Sequence, residues 1–176
     1  MATPLYSILT SAIGEKALVG ATVLDVGCAR FAESVALRDM GAHVTALDTK
    51  RREEAPEGIS FIQEDFLQMN VAQPFDIVYM SNVALFMPLA DVLEKLRLLN
   101  PKMIAVRTMF DYPVPNWNPD ELQTLYFSKP ADWVNFFEPL GYRTVVAKDY
   151  EEETPDMRGR NRIFRYTDYI GIRQEL

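Results

Sequence analysis

The chemistry-bearing residues of this 176-residue chain gather where short apolar runs end. Thr22 to Val26 is one such run, and Val23-Leu24-Asp25-Val26-Gly27-Cys28 sets an acid and then a glycine at its carboxyl end. In an open α/β sheet that end is where ligands bind, because the chain turns sharply there and the N–H groups opening the next helix face the crevice. A second acid, Asp48, follows the run Val44 to Leu47 and stands 21 residues beyond Gly27. That spacing lets a carboxylate accept hydrogen bonds from the ribose hydroxyls of a nucleoside. Two carboxylates are thus expected to bracket one pocket. An acid beside a buried strand is costly without a partner, so Asp25 should have one, be it ligand or protein.

These acids need a sheet to hold them, and the hydrophobic period supplies one. After Gly27, residues Ala32, Val35, Ala36 and Met40 recur at helical spacing, and Gly41 stops that helix. Val44 to Leu47, Ile59 to Ile62, Phe75 to Met80 and Met103 to Val106 read as buried strands. Between the last two, Leu89, Val92, Leu93, Leu96 and Leu99 form a helical stripe. Strand and helix alternate, so a mostly parallel sheet with helices on both faces is expected. Thr108 to Phe127, with Pro113, Pro115 and Pro119 among Phe110, Tyr112, Trp117 and Tyr126, reads as a long aromatic loop. Its place beside the crevice suits either a substrate wall or packing over the sheet edge. Ser128 is the expected cap of a helix whose Trp133, Phe136, Phe137 and Leu140 share a face, with Gly141 as its left-handed stop. Tyr142 to Ala147 and Arg162 to Tyr169 are the last strands, joined by a charged loop from Lys148 to Asn161.

Composition narrows the function classes. With 48% apolar and 24% charged residues and no long apolar run, the chain is expected to form one soluble domain over residues 1–176, without a membrane span. No secretory signal is visible at the amino terminus. Cys28 is the sole cysteine, so no internal disulfide can form and a cytoplasmic setting is expected. A net charge of −7 disfavours a protein that coats nucleic acid. The basic clusters Lys50-Arg51-Arg52 and Arg158, Arg160, Arg162 and Arg165 lie beside acids and read as solvated or ion-paired surface. No cysteine or histidine cluster offers zinc spacing, and His43, the one histidine, reads as structural.

In order along the chain, these segments resemble the class I S-adenosylmethionine-dependent methyltransferases. Asp25-Val26-Gly27-Cys28 is similar to the family's first motif, Asp48 to its ribose-binding acid, and Glu64-Asp65-Phe66 to its adenine-contacting segment. Phe75 to Asn82 resembles its fourth strand and the turn after it, and the closing helix, Gly141 and two strands match its end. The resemblance implies a seven-stranded Rossmann-like sheet with a C-terminal antiparallel hairpin, and S-adenosylmethionine as cofactor. It assigns cofactor contact to Asp25, Gly27, Cys28, Ala29, Asp48, Thr49, Asp65, Phe66 and Ser81. Ala29 and Phe31 stand where the family usually has glycine. A small backbone shift would absorb the alanine. Phe31 needs a different helix packing, or else points into the core as the first member of the helical stripe. Thr49 to Gly58 is also too short for the usual crossover helix.

The activity implied is methyl transfer to an acceptor nucleophile, with no catalytic base assigned; Arg107, Asp111 and Tyr112 are the candidates after the fifth strand. Ser81-Asn82-Val83-Ala84 lacks the Asn-Pro-Pro-Tyr type of turn that holds a planar amine, so a small-molecule acceptor is expected. Two other readings stay open: a non-catalytic binding or protein-interaction module with an altered glycine loop, and a nicotinamide-binding domain in which Gly27, Ala29 and Ala32 imitate Gly-x-Gly-x-x-Gly.

Overall fold

The apolar runs pair into one seven-stranded sheet. The computed structural model describes residues 3–70, 74–111, 126, 128–155 and 161–174. Its strands are β1 (Thr22–Val26), β2 (His43–Asp48), β3 (Ile59–Gln63), β4 (Ile77–Ser81), β5 (Met103–Asp111), β6 (Tyr142–Pro155) and β7 (Asn161–Arg173). They lie in the order β3-β2-β1-β4-β5-β7-β6. The first five are parallel, β7 runs antiparallel to β5, and β6 runs antiparallel to β7. The expected mostly parallel sheet with a closing antiparallel hairpin is therefore present. From β1 the chain winds outward to β2 and β3 and then returns to the other side as β4. The connections diverge there, and a crevice opens at the carboxyl ends of β1 and β4.

Among the described residues four α-helices cover the sheet: α1 (Leu5–Ile13), α2 (Ala32–Asp39), α3 (Leu89–Leu99) and α4 (Pro130–Phe137). Val92, Leu93 and Leu96 of α3 and Trp133 and Phe137 of α4 pack with Leu24, Val26, Val78, Met80, Ile104 and Val106 on one face. Leu5 and Leu9 of α1 and Leu37 of α2 pack with Val23, Val44, Ala46, Ile77 and Ala105 on the other. Burial on both faces explains why these strands read as unbroken apolar runs. No helix among the described residues is long and apolar enough to cross a membrane.

Several elements differ from expectation. Helix α1 carries no strong start signal, and its place comes from burying Leu5 and Leu9. In α2 the expected stripe of Ala32, Val35, Ala36 and Met40 is only partly right: Val35 and Met40 pack half-buried against the core, but Phe31, Ser34 and Leu37 are the buried residues and Ala32 is exposed. The helix is turned by what lies beneath it, since the Ser34 hydroxyl must reach buried Asp25. Ser128 does not cap α4. Lys129 holds that position, its N–H donating to Asp132 at 2.7 Å, while Ser128 Oγ accepts a hydrogen bond from the buried Trp133 indole at 3.0 Å. Leu140 is exposed, and Gly141 takes the expected left-handed conformation at φ +86°.

The expected charged loop from Lys148 to Asn161 is largely strand, with β6 and β7 paired as far as Pro155 and Asn161. Cross-strand partners help hold it, as in the Glu151–Arg165 ion pair at 2.7 Å and the stacked rings of Tyr150 and Tyr166. The basic residues Arg158 and Arg160 and the side chain of Arg162 lie outside the described residues, as does the aromatic segment from 112 to 125.

Candidate functional site

The turn after β1 is built by backbone conformation. Gly27 has φ +75°, and a Cβ there would lie 2.5 Å from Cγ2 of Val83, so both torsion and space require glycine. The N–H groups of Gly27 and Cys28 donate to the Leu47 carbonyl at 2.7 and 3.2 Å, and the Phe31 N–H donates to the Cys28 carbonyl at 2.8 Å. Ala29 at φ +49° and Phe31 at φ +61° are also left-handed. The two positions where glycine was expected thus keep a glycine-like backbone without glycine. Phe31 resolves the alternative left open above by pointing into the core, 1% exposed and edge-on to Phe61 at 5.5 Å.

Asp48 ties this turn to the end of β2. One carboxylate oxygen accepts the Ala29 N–H and the other the Lys50 N–H, each at 3.0 Å. Each oxygen keeps a further lone pair for a ligand. Beside it lies a cavity of about 650 Å³ at the carboxyl ends of β1, β2 and β4. Gly27, Ala29, Asp48, Thr49, Asp65, Phe66 and Ser81 line it. One Asp65 oxygen accepts the Leu67 N–H at 2.9 Å, which pins a short turn, and Phe66 is 3% exposed and lends an edge to the wall while packing in the core. An adjoining cavity of about 320 Å³ is lined by Asp25 and Cys28 and shares Gly27, Ala29, Arg52 and Ser81 with the first. All nine residues singled out in the sequence therefore reach one or other cavity.

Sequence reasoning missed Asn82, Val83, Phe86 and Met87, which wall the larger cavity. Asn82 is left-handed at φ +55° and its N–H donates to the Arg107 carbonyl at 2.8 Å, which folds the segment after β4 back over the crevice. Phe86, 55% exposed, ends a single 3₁₀ turn there. An apolar run inside a turn was the available signal. Lys50 and Arg52, read as solvated surface, also line the cavity, whereas Arg51 is ion-paired with Glu54 at 2.8 Å as expected.

The buried acid has the partner its burial demands: the Ser34 hydroxyl donates to Asp25. Burial pushes the Asp25 carboxyl up to about 7, against the opposing pull of that hydroxyl. An unfolded aspartate titrates near 3.9. Between those values the folded chain holds a proton that the unfolded chain has lost, so this group's stabilisation falls as pH rises from about 4 to 7. Asp25→Asn, which keeps an oxygen for Ser34, is expected to remove that part of the slope. Urea midpoints that decline in parallel for both proteins over this window would contradict the assignment. Burial also pushes the Cys28 thiol up to about 12, which leaves it un-ionised and no nucleophile.

Of the candidate bases after β5, Arg107 is committed elsewhere. Its guanidinium is 3% exposed, pairs with both oxygens of fully buried Asp168 at 2.8 and 3.1 Å, and donates to the Thr3 carbonyl at 2.6 Å. Tyr112 and the side chain of Asp111 lie outside the described residues.

Comparison with known proteins fits this architecture. No family model matches the chain. The cypemycin N-terminal methyltransferase of a Streptomyces species is 29% identical over 94 residues; the match spans 49% of this chain and 38% of that protein. Magnesium protoporphyrin IX methyltransferase from Synechocystis PCC 6803, solved with bound S-adenosylmethionine, superposes at a TM-score of 0.65 with 16% identity, over 97% of this chain and 78% of its own. The 1,6-didemethyltoxoflavin-N1-methyltransferase of Burkholderia thailandensis, solved with its acceptor and S-adenosylhomocysteine, gives 0.65 and 17% over 98% and 77%. Strand order, closing hairpin and these superpositions agree: the chain has the Rossmann-like fold of the class I S-adenosylmethionine-dependent methyltransferases.

Proposed function

We propose that the chain is a methyltransferase that binds S-adenosylmethionine in the larger cavity and methylates a small-molecule acceptor. The observation that carries the reading is the Asp48 carboxylate, fixed by the Ala29 and Lys50 N–H groups at the rim of a 650 Å³ cavity, with lone pairs left for two ribose hydroxyls. Cavities of this size accept drug-sized ligands. When bound, S-adenosylmethionine supplies an electrophilic methyl group on sulfur, and in-line transfer depends on alignment more than on a reactive side chain. The residues fit that demand. Asp48 would hold the ribose, Asp65 and Phe66 would flank the base, and Asp25, Gly27, Cys28, Ala29 and Ser81 would face the arm beyond the ribose. Phe86 and Met87 would keep water from the methyl group. The acceptors named for the two superposed enzymes, magnesium protoporphyrin IX and 1,6-didemethyltoxoflavin, support a small-molecule class. The retained left-handed turn at Ala29 and Phe31 speaks against a loop that has lost its ligand.

Calorimetric titration with S-adenosylmethionine and S-adenosylhomocysteine tests this, with micromolar binding expected. Asp48→Ala should weaken both by removing charge-assisted hydrogen bonds of about 1.5 to 3 kcal/mol. Asp149→Ala, on β6 with its carboxylate on Thr167, should leave binding unchanged. Equal losses at both positions, or saturable binding of NADH in place of the sulfonium ligand, would count against the proposal.

A further inference from the structure

Asp65 opens a single turn after β3 by accepting three backbone N–H groups. One side-chain oxygen takes that of Leu67 at 2.9 Å, and its carbonyl takes those of Gln68 and Met69 at 3.0 and 2.8 Å. A turn opened in this way leaves carbonyls without partners at its far end. Among the described residues the donor that reaches them is the Lys95 ammonium of α3, which donates to the Leu67 carbonyl at 3.5 Å and to the Met69 carbonyl. Exposed Asp91 stands four residues before Lys95, the spacing of an ordinary helical ion pair, yet the half-buried ammonium turns to the carbonyls instead. A cation there also complements the negative end of the turn's peptide dipoles. Apolar contacts complete the anchor: Phe66 and Met69, 3% and 5% exposed, pack in one core cluster with Val92, Leu93 and Leu96 of α3. At the head of the turn Asp65 and Phe66 line the larger cavity, whereas Lys95 does not reach it.

We infer that Lys95 is a positioning residue for base recognition, holding the Asp65–Phe66 wall from behind through the Leu67 and Met69 carbonyls. The inference rests on the reading above that this wall flanks the base of the cofactor. Apolar burial presses the turn onto α3 but is non-directional. Hydrogen bonds have preferred angles, so the two from Lys95 set how the turn is rotated and where its first residues face. An ammonium suits the task because three donors on a flexible stem can serve two carbonyls at once.

Lys95→Met keeps an unbranched apolar stem and removes the donors, and the test reads both links. Amide hydrogen exchange follows the turn: the N–H groups of Leu67, Gln68 and Met69 should exchange faster in the variant, while those of β4 keep their protection. Calorimetry follows the cavity: S-adenosylhomocysteine should bind the variant about three- to tenfold more weakly, the scale of coupling within one hydrogen-bond network. S-ribosylhomocysteine, which keeps the sugar and amino acid but has no base, should lose nothing. Lys95→Arg, which retains a charged donor, should recover part of the affinity and of the protection. A lysine that only stabilises the fold would lower the urea midpoint and leave both affinities of the folded chain unchanged. That outcome, or an equal loss for both probes, in a chain whose wild type binds S-adenosylhomocysteine would overturn the role of Lys95 alone. A wild type that does not bind S-adenosylhomocysteine would overturn the cofactor reading and this inference with it.

Discussion

Asp168→Ala is expected to cost about 3 to 5 kcal/mol of stability, the scale seen when one partner of a buried ion pair is removed. Asp168 is fully buried and Arg107 is 3% exposed, and the two share a bidentate pair across β5 and β7. An arginine does not give up its proton in a protein, so truncating the acid strands a buried cation. Among the described residues what remains to it is one carbonyl, that of Thr3, and the faces of Tyr150 and Tyr166 at 5.6 Å each. Cation–π contacts of this kind contribute about 0.5 to 2 kcal/mol and cannot replace the carboxylate. The strain should appear first where the pair holds separate elements together, at the start of the chain before α1 and along the β5–β7 ladder. Removing both charges tests the explanation. Arg107→Met with Asp168→Leu leaves no stranded ion and should be more stable than Asp168→Ala alone. Urea denaturation of the three proteins decides the point: a single variant within about 1 kcal/mol of wild type would mean that water reaches Arg107.

The reason this pair escaped the sequence reading separates what was legible from what was not. Strands β1, β4 and β5 were legible because each is buried on both faces and therefore spelled in consecutive apolar residues, whereas the edge strand β3 showed through Ile59, Phe61 and Ile62 although only Ile59 is buried. That Asp25, Gly27 and Asp48 line the cavities was legible because it follows from their position at strand ends, which sequence spacing preserves. Arg107 looked like a base candidate because nothing nearby in sequence announces Asp168, 61 residues away. The long β6–β7 hairpin was read as a loop for the same reason. Glu151 is a poor strand residue until Arg165 faces it, and Tyr150 looks ordinary until Tyr166 stacks on it. Val83, Phe86 and Arg52 enter the site through a left-handed Asn82 and a shortened connection, neither of which leaves a periodic trace. The centre of the α2 face was missed, though Val35 and Met40 at its flank were not, because a serine, ordinarily a surface residue, is drawn inward by Asp25.

The glycine turn is where sequence and backbone disagree most, and it yields the second large expected effect. Phe31 sits at φ +61° and ψ +11°, a conformation that costs an L-residue roughly 1 to 2 kcal/mol. The residue persists there because its ring is 1% exposed, packs edge-on against Phe61 and joins the core between α2 and the sheet. Phe31→Ala keeps the torsional cost and loses the burial, so it should destabilise by about 3 to 5 kcal/mol, as buried phenylalanine truncations do. Phe31→Gly removes more atoms but relieves the torsion. It should therefore be no worse than the alanine variant, whereas at a right-handed helical position glycine would be worse by about 1 kcal/mol. Ala29 carries the torsion without the burial, being exposed at φ +49°. At that site relief of strain and the greater freedom of unfolded glycine oppose each other, and Ala29→Gly should shift stability by less than about 1 kcal/mol. Urea midpoints for the three variants separate these cases. A glycine at position 31 clearly less stable than alanine would show that the left-handed turn is not what Phe31 is holding. The predicted order instead means that a buried ring has replaced glycine in keeping the Ala29 N–H aimed at Asp48 and the cavity open beside it.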